Sequence, residues 1–261
     1  MATMTGPKWG PKNGGAPKMI VFLLHGLGAD GNDLIDLAPH WGNAAPDAVF
    51  LSPTRRSRMT APLRAAVVQP LGPLPPARLA GVQVARPALD AMIDEACATY
   101  GLPASAVVLM GFSQGAMMAL YAGLRRKEPV AGIMAYSGML IGAETLAQEI
   151  VSRPPVLLVH GEVDEVVPAA ASRQADRRCG RRGFRWNPPS APGLATASTM
   201  PGSPPARFSC NGRRPASSLR DAAMKLARPD IARASPTCHE FQANRRRHDI
   251  WGSSVRSSPS G

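Results

Sequence analysis

A serine between two glycines stands in the middle of the chain, in the sequence Gly111-Phe112-Ser113-Gln114-Gly115. In such a G-x-S-x-G pattern the glycines permit a tight turn from which the serine hydroxyl projects as a nucleophile. An apolar run, Ala106–Met110, precedes the pattern and a helical periodicity follows it. The sequence therefore predicts Ser113 as a nucleophile. It also predicts the backbone N–H of Gln114, at the start of a helix, as a donor to developing negative charge.

A second glycine-rich turn follows the first apolar run and reads H-G-L-G-A-D-G over residues 25–31. In hydrolases with a nucleophile elbow, the loop after this strand supplies the other oxyanion donor, and the position indicates Leu27. The same turn also spells G-x-G-x-x-G, the pattern of dinucleotide-binding loops. That pattern requires an acidic residue at the end of the next strand, which here ends in Ser52-Pro53. We therefore favour the oxyanion interpretation.

A carboxylate is needed to orient and stabilise a catalytic imidazole. Asp164 lies in a loop after a later apolar run and follows the serine along the chain. This matches the order Ser, Asp, His of hydrolases with a nucleophile elbow. Glu162 and Glu165 are the competing carboxylates in the same loop. His25 and His160 precede their loops, so we interpret both as structural.

Short apolar runs alternate with helical patterns along the chain, which predicts an α/β fold with a doubly wound, mostly parallel sheet and helices on both faces. Asn32 is the predicted cap of the first helix, and Gly101 closes the helix that contains Leu89 and Tyr100. The predicted strands are Lys18–Leu24, Ala48–Pro53, Ala106–Met110, Ala131–Tyr136 and Pro155–His160. A helix is predicted near Ala143–Ile150, between the last two strands.

Three segments of the chain resemble the bacterial carboxylesterase branch of the phospholipase/carboxylesterase family, which is related to acyl-protein thioesterases. They read L-L-H-G-L-G-A-D-G-N-D-L, G-F-S-Q-G-A-M-M-A-L and P-V-L-L-V-H-G-E-V-D-E-V-V-P. The resemblance implies an α/β-hydrolase that cleaves carboxylic esters or thioesters through an acyl-enzyme, without cofactor or metal. Carried over by position, it implies Ser113 as nucleophile, Asp164 as acid, and Leu27 and Gln114 as oxyanion donors.

The family's catalytic histidine lies in a G-H-G-like loop after the last strand, but residues 192–199 read P-G-L-A-T-A-S-T and contain none. Only His239 and His248 follow Asp164, both in Arg-rich sequence without periodicity. If the gene is translated in the frame that starts at the third base of the codons for residues 182–199, the permitted codons allow a segment that contains G-H-G. We interpret 55–78 and 171–261 as out-of-frame sequence. The first alternative is that the chain is a folded but inactive relative of these hydrolases.

The predicted organisation is an N-terminal tail over 1–17, a hydrolase domain over 18–170 that is irregular at 55–78, and a basic tail of low order over 171–261. Residues 1–170 carry 13 Lys and Arg against 13 Asp and Glu, whereas residues 171–261 carry 17 against 5. The tail therefore carries the whole net charge of +12.

A basic tail is typical of nucleic-acid binding, which stands as a second alternative. The tail has no basic periodicity, no platform of interleaved aromatic residues and no nucleic-acid motif, so we expect no nucleic-acid partner. No apolar run is long enough for a membrane span or a signal peptide, which predicts a cytoplasmic protein without membrane insertion. We expect a small-molecule ester or thioester substrate, no metal and no cofactor, and leave a homodimer open. The four cysteines form no metal-binding spacing.

Overall fold

The computed structural model describes residues 5–54 and 75–160. For residues 75–77 it describes the backbone alone. Beyond residue 160 it describes six single positions: Asp164, Val167, Ala170, Ala171, Gln174 and Ala175. Residues 55–74 of the predicted irregular segment, which spans 55–78, lie outside the described residues. So does the basic tail, apart from Ala171, Gln174 and Ala175.

A six-stranded sheet forms the centre of the described part of the chain, in the order β1-β3-β2-β4-β5-β6. All neighbouring strands are parallel except β1, which is antiparallel to β3. The strands are β1 (Lys8–Trp9), β2 (Met19–Leu24), β3 (Ala48–Leu51), β4 (Val107–Phe112), β5 (Gly132–Tyr136) and β6 (Val156–Val159).

Five α-helices connect or flank these strands within the described ranges, together with a short 3-10 turn at Ala104–Ala106. The helices are α1 (Gly31–Ile35), α2 (Leu37–Trp41), α3 (Pro75–Tyr100), α4 (Gln114–Gly123) and α5 (Leu146–Glu149). None of these helices is long and apolar enough to cross a membrane.

Alternate residues of the strands pack into two hydrophobic clusters, one on each face of the sheet. Ile20 and Phe22 join a cluster with residues of α3 and α4, whereas Val21 and Leu23 join a cluster with residues of α1 and α2. A strand buried on both faces reads as a continuous apolar run, because neither face is left for polar side chains. The two clusters confirm the predicted α/β architecture with helices on both faces of the sheet.

The predicted strands are found within one or two residues of their expected ends, but three local features differ from the prediction. The N-cap of α1 is Asp30, not Asn32, because the Asp30 carboxylate accepts the Asn32 N–H at 2.7 Å. The Asp33 carboxylate in turn accepts the Asp30 N–H at 2.6 Å, which completes a capping box. Helix α3 begins at Pro75, so the last four residues of the predicted irregular segment are helical. The strand β1 was not predicted; its Trp9 packs on Phe50 of β3.

Candidate active site

The chain turns sharply at Ser113, between β4 and α4. Ser113 has φ 51° and ψ −112°, a backbone conformation that is uncommon for any residue except glycine. A Cβ at position 115 would stand 1.9 Å from the carbonyl oxygen of Leu24, and one at 111 would stand 2.3 Å from the carbonyl carbon of Gly115. Both flanking positions therefore admit only glycine, and the strand, turn and helix are arranged as the G-x-S-x-G pattern predicts.

The backbone of Ser113 is held from two sides. Its N–H donates to the carbonyl oxygen of Tyr136 at 2.8 Å, and its own carbonyl accepts the N–H of Met117 at 3.1 Å. The side chain faces the loop after β2, since a Cβ on Gly26 would lie 3.6 Å from the Cβ of Ser113. The loop after β2 therefore lies in contact with the half-buried serine.

The two predicted oxyanion donors lie on the two segments that meet at Ser113. Leu27 directly follows Gly26 in a turn that is closed by a hydrogen bond of 3.4 Å from the Ala29 N–H to the Gly26 carbonyl. Gln114 is the first residue of α4. N–H groups in the first turn of a helix have no partner four residues back, and the helix dipole makes this end positive. The arrangement suits the stabilisation of an anion beside Ser113.

The imidazole of His25 contacts the backbone of its own loop. Its Nδ1 lies 2.9 Å from the carbonyl oxygen of Gly26, so this nitrogen donates to the loop that carries Leu27. This contact agrees with the structural role predicted for His25.

The carboxylate of Asp164 lies in the loop after β6, two strands from the elbow. Its Oδ1 accepts the N–H of Val167 at 2.8 Å, and its Oδ2 is 3.5 Å from Nε2 of His160. The same Nε2 is 2.6 Å from the carbonyl oxygen of Val167. Only 3% of the Asp164 side chain and 5% of the His160 side chain are exposed. The acid predicted from the sequence is therefore a buried group that its own loop holds in place.

The ends of β4, β5 and β6 form a row that places these groups along one edge of the sheet. Phe112 pairs with Tyr136, and Tyr136 pairs with Val159, so the next residues of the three strands are Ser113, Ser137 and His160. Hydrogen bonds extend the row, since the Ser137 N–H donates to the Val159 carbonyl at 2.8 Å. The nucleophile candidate and the start of the Asp164 loop thus share the carboxyl edge, where parallel sheets carry their sites.

The sequence analysis did not identify Ser137, which is the second residue other than glycine with a positive φ in the described part of the chain, at 49°. It is buried, and the strained conformation has no sequence signal comparable to the glycine pair around Ser113. The remaining predicted site residues, namely Glu162, Glu165, His239 and His248, lie outside the described residues.

A groove of about 510 Å³ lies along α3. Its walls include Arg86 and Asp90, which form an ion pair at 3.2 Å, and Tyr121 of α4. No residue of the elbow or of the Asp164 loop lines it, so we do not assign the chemistry to this groove. Among the described residues, no group of three or more His, Cys, Asp and Glu side chains is placed to hold a metal ion.

Comparison with known proteins places the chain beside esterases and thioesterases. The family described as phospholipase/carboxylesterase matches residues 12–181. Acyl-protein thioesterase 1 of Schizosaccharomyces pombe is 30% identical over 161 residues, which cover 58% of this chain and 71% of that protein.

Solved structures show the same fold. The crystal structure of esterase PE8 is 39% identical, with a TM-score of 0.65, and the match covers 71% of this chain and 87% of that one. Arabidopsis thaliana SOBER1 is 21% identical, with a TM-score of 0.56 over 69% of this chain and 91% of that one, a likeness that concerns the fold alone.

Proposed function

Because the chain belongs to the phospholipase/carboxylesterase family and is a hydrolase of carboxylesterase type, we propose that Ser113 is its nucleophile and that it acts through an acyl-enzyme. The observation that carries the proposal is the backbone of Ser113, with φ 51° at a junction where both neighbouring glycines are sterically required. Strain at a residue other than glycine costs about 1–3 kcal/mol and is concentrated at functional sites.

The reaction follows from the groups around the serine. The Ser113 hydroxyl passes its proton to a general base as its Oγ adds to the acyl carbon of an ester or thioester, and the carbonyl oxygen becomes an oxyanion between the N–H groups of Leu27 and Gln114. Collapse of this intermediate breaks the bond to the alcohol or thiol, which takes up the proton from the base, and leaves the acyl group on Ser113. Water then adds to the acyl-enzyme, and a second collapse releases the carboxylic acid and restores the serine. The relative from Schizosaccharomyces pombe is named a thioesterase, which supports thioesters beside oxygen esters as substrates.

Asp164 is the acid we propose for a Ser-His-Asp triad, but the chain has no histidine between His160 and His239. His160 does not supply the base, because its Nε2–H donates to the carbonyl of Val167 and the ring is buried with Asp164. We therefore infer that the serine hydroxyl lacks a histidine base at the position where the family keeps one. This observation favours a second candidate, a folded relative with little or no turnover, and we infer that the chain as it stands is at most a slow hydrolase.

A serine-directed probe tests the proposal without requiring turnover. A fluorophosphonate incubated with the full chain at high concentration and for long times should modify Ser113, with the modified peptide identified by mass spectrometry. Ser113→Ala should abolish the modification. Ser137→Ala is the matched control, because Ser137 is also a serine with positive φ at the end of a strand, and this variant should be modified like the unaltered chain. Modification that persists in Ser113→Ala would remove Ser113 from the mechanism.

A further inference from the structure

A cation without a counter-charge among the described residues lies beside the elbow. Arg78 is in the first turn of α3, and its side chain is partly exposed. Its Nη1 lies 3.5 Å from Sδ of Met139, and it makes no other hydrogen bond or ion pair within the described part of the chain. A thioether is a weak acceptor and carries no charge. Most of the N–H donors of the Arg78 guanidinium are therefore available to another group.

The contact with Met139 connects Arg78 to the elbow. Met139 directly follows Gly138 in the segment after β5. A Cβ on Gly138 would lie 2.6 Å from the Cβ of Ala116 and 3.4 Å from the carbonyl oxygen of Ser113, so this segment packs directly on the elbow. The guanidinium of Arg78 is thus held at the border of the site by a residue whose neighbour in the chain contacts the nucleophile turn.

The elements that meet here carry no acid that could neutralise Arg78. Residues 78–89 of α3, 114–124 of α4 and the turn after it, and 137–143 after β5 contain no Asp or Glu. A cation in the first turn of a helix is also unfavourable, because the helix dipole makes this end positive. The position of Arg78 therefore adds nothing electrostatic to the stability of α3.

Three other arginines in this part of the fold show what a structural arginine contacts. Arg86, Arg125 and Arg126 each form an ion pair with a carboxylate and donate to a backbone carbonyl. Arg78 has neither kind of partner among the residues that the structure describes. A residue that breaks a local rule without a compensating contact is expected at functional positions.

We propose that Arg78 binds a carboxylate on the substrate and makes the site selective for monoesters and monothioesters of dicarboxylic acids. The proposal rests on the proposed function, since it places the reacting acyl carbon at Ser113. The planar fork of a guanidinium matches a carboxylate with two parallel hydrogen bonds, and one positive charge balances one negative charge. A phosphate monoester carries nearly two charges, and the described residues around Arg78 provide no second unpaired cation.

Paired fluorophosphonates that differ only at the end of one chain measure this preference on the full protein. Each pair carries a terminal carboxylate or the neutral carboxamide, on a chain of four, six or eight carbon atoms. For at least one length, the rate constant for modification of Ser113 should be about tenfold higher with the carboxylate, because hydrogen bonds between charged groups are the strong ones. Equal rates for both members of every pair overturn the proposal.

Substitutions separate a contact with Arg78 from attraction by the net charge of +12. Arg78→Gln should lower the ratio of the two rates to near one, with little change in the rate for the carboxamide. Arg78→Lys keeps the charge without the fork and should keep part of the preference. Lys127→Gln is the matched control, because it removes one charge from an exposed residue without an ion pair in the described chain. A ratio that Arg78→Gln leaves unchanged, or that Lys127→Gln lowers equally, contradicts the proposal.

A binding measurement keeps Arg78 and the nucleophile separately testable. Ser113→Ala with ¹³C-labelled methionine methyl groups is titrated with the N-methyl monoamides of succinic, adipic and suberic acid, and with neutral N-methylhexanamide. At least one monoamide should shift the methyl signal of Met139, assigned from Met139→Ala, and the added substitution Arg78→Gln should abolish this shift. The signal of Met92, a partly buried methionine of α3 in a different cluster, should stay in place.

The two measurements fail in different ways. Shifts that depend on Arg78, without modification of Ser113 by any fluorophosphonate, would support the carboxylate contact and overturn the proposed function. Modification of Ser113 at equal rates by both members of each pair, without such shifts, would support the nucleophile and overturn the role of Arg78.

Discussion

The Nε2 atom of His160 lies 3.5 Å from Oδ2 of Asp164, and both side chains are almost completely buried. The same nitrogen is 2.6 Å from the carbonyl oxygen of Val167, which can only accept, so Nε2 carries a proton. Val167 in turn donates its N–H to Oδ1 of Asp164. His160, Asp164 and Val167 are therefore connected in a ring of contacts, which fixes the Asp164 loop.

Removal of the imidazole should destabilise this loop. His160→Ala leaves the Val167 carbonyl and one Asp164 oxygen without this donor in a buried place, and we expect a loss of about 1–3 kcal/mol in the free energy of unfolding, measured in urea. His160→Gln keeps an N–H donor and should recover part of the loss. His40→Ala, an exposed histidine of α2, is the control and should stay within about 0.5 kcal/mol of the unaltered chain. Equal stability of His160→Ala and His40→Ala would contradict the role assigned to His160.

The parallel core and the elbow could be predicted from sequence because both are encoded locally. A strand such as β2 is buried on both faces and must be a continuous apolar run. The glycines at 111 and 115 mark positions where a Cβ would overlap backbone atoms, so residue type reports the geometry directly. Leu27 was predicted as an oxyanion donor from its place in the loop after the first strand, and the preceding Gly26 lies beside Phe112 and Ser113.

Other features could not be predicted because they depend on contacts between distant parts of the chain. The strand β1 has two residues and exists through pairing with β3 and the contact of Trp9 with Phe50, which no local periodicity reveals. The positive φ of Ser137 has no neighbouring glycine signature of the kind that surrounds Ser113. The choice between Asp30 and Asn32 as helix cap depends on which side chain meets the free N–H groups, and both residue types are good caps.

The steric argument for the elbow predicts unequal costs for two glycine substitutions. Gly115→Ala places a Cβ 1.9 Å from the Leu24 carbonyl oxygen and should lower the free energy of unfolding by about 3 kcal/mol, because backbone must move. Gly101→Ala places its Cβ in open space and pays only for a φ of 65°, about 1 kcal/mol. Urea unfolding of the two variants measures the difference. Similar losses in both would mean that the elbow tolerates a side chain.

Acid should weaken the contact that anchors α5 to the body of the protein. Arg125 Nε lies 2.6 Å from Oε2 of Glu149, and this hydrogen bond is the main reason that the pKa of Glu149 is below the ordinary 4.5 of a glutamate. A depressed carboxyl pKa adds stability that is present above pH 4.5 and is lost as the pH falls through the folded-state value. The unaltered chain should therefore be more stable than Glu149→Gln near pH 6, and this difference should shrink as the pH falls below 4.5 and through the lowered pKa of Glu149.

The background variant Arg125→Met tests the cause of this pH dependence. Methionine keeps much of the apolar stem of Arg125 but has no donor for Glu149. In this background Glu149→Gln should change the free energy of unfolding by nearly the same amount near pH 6 and below pH 4.5. Circular dichroism establishes that the background variant is folded before the comparison. An unchanged pH dependence in the Arg125→Met background would show that another group lowers the pKa of Glu149.

Hydrolysis by the chain should be limited by the missing base. Without an imidazole acceptor the Ser113 hydroxyl keeps its proton near neutral pH and is a poor nucleophile. In triad enzymes, the oxyanion donors and binding alone leave a rate of about 10³–10⁴ over water. We therefore expect very weak or no release of p-nitrophenol from a short p-nitrophenyl ester. A gene altered to restore the G-H-G reading frame over 182–199 should gain several orders of magnitude in kcat, and Ser113→Ala in that background should remove the gain. Strong hydrolysis by the unaltered chain that His239→Ala or His248→Ala abolishes would show instead that a histidine of the basic tail supplies the base.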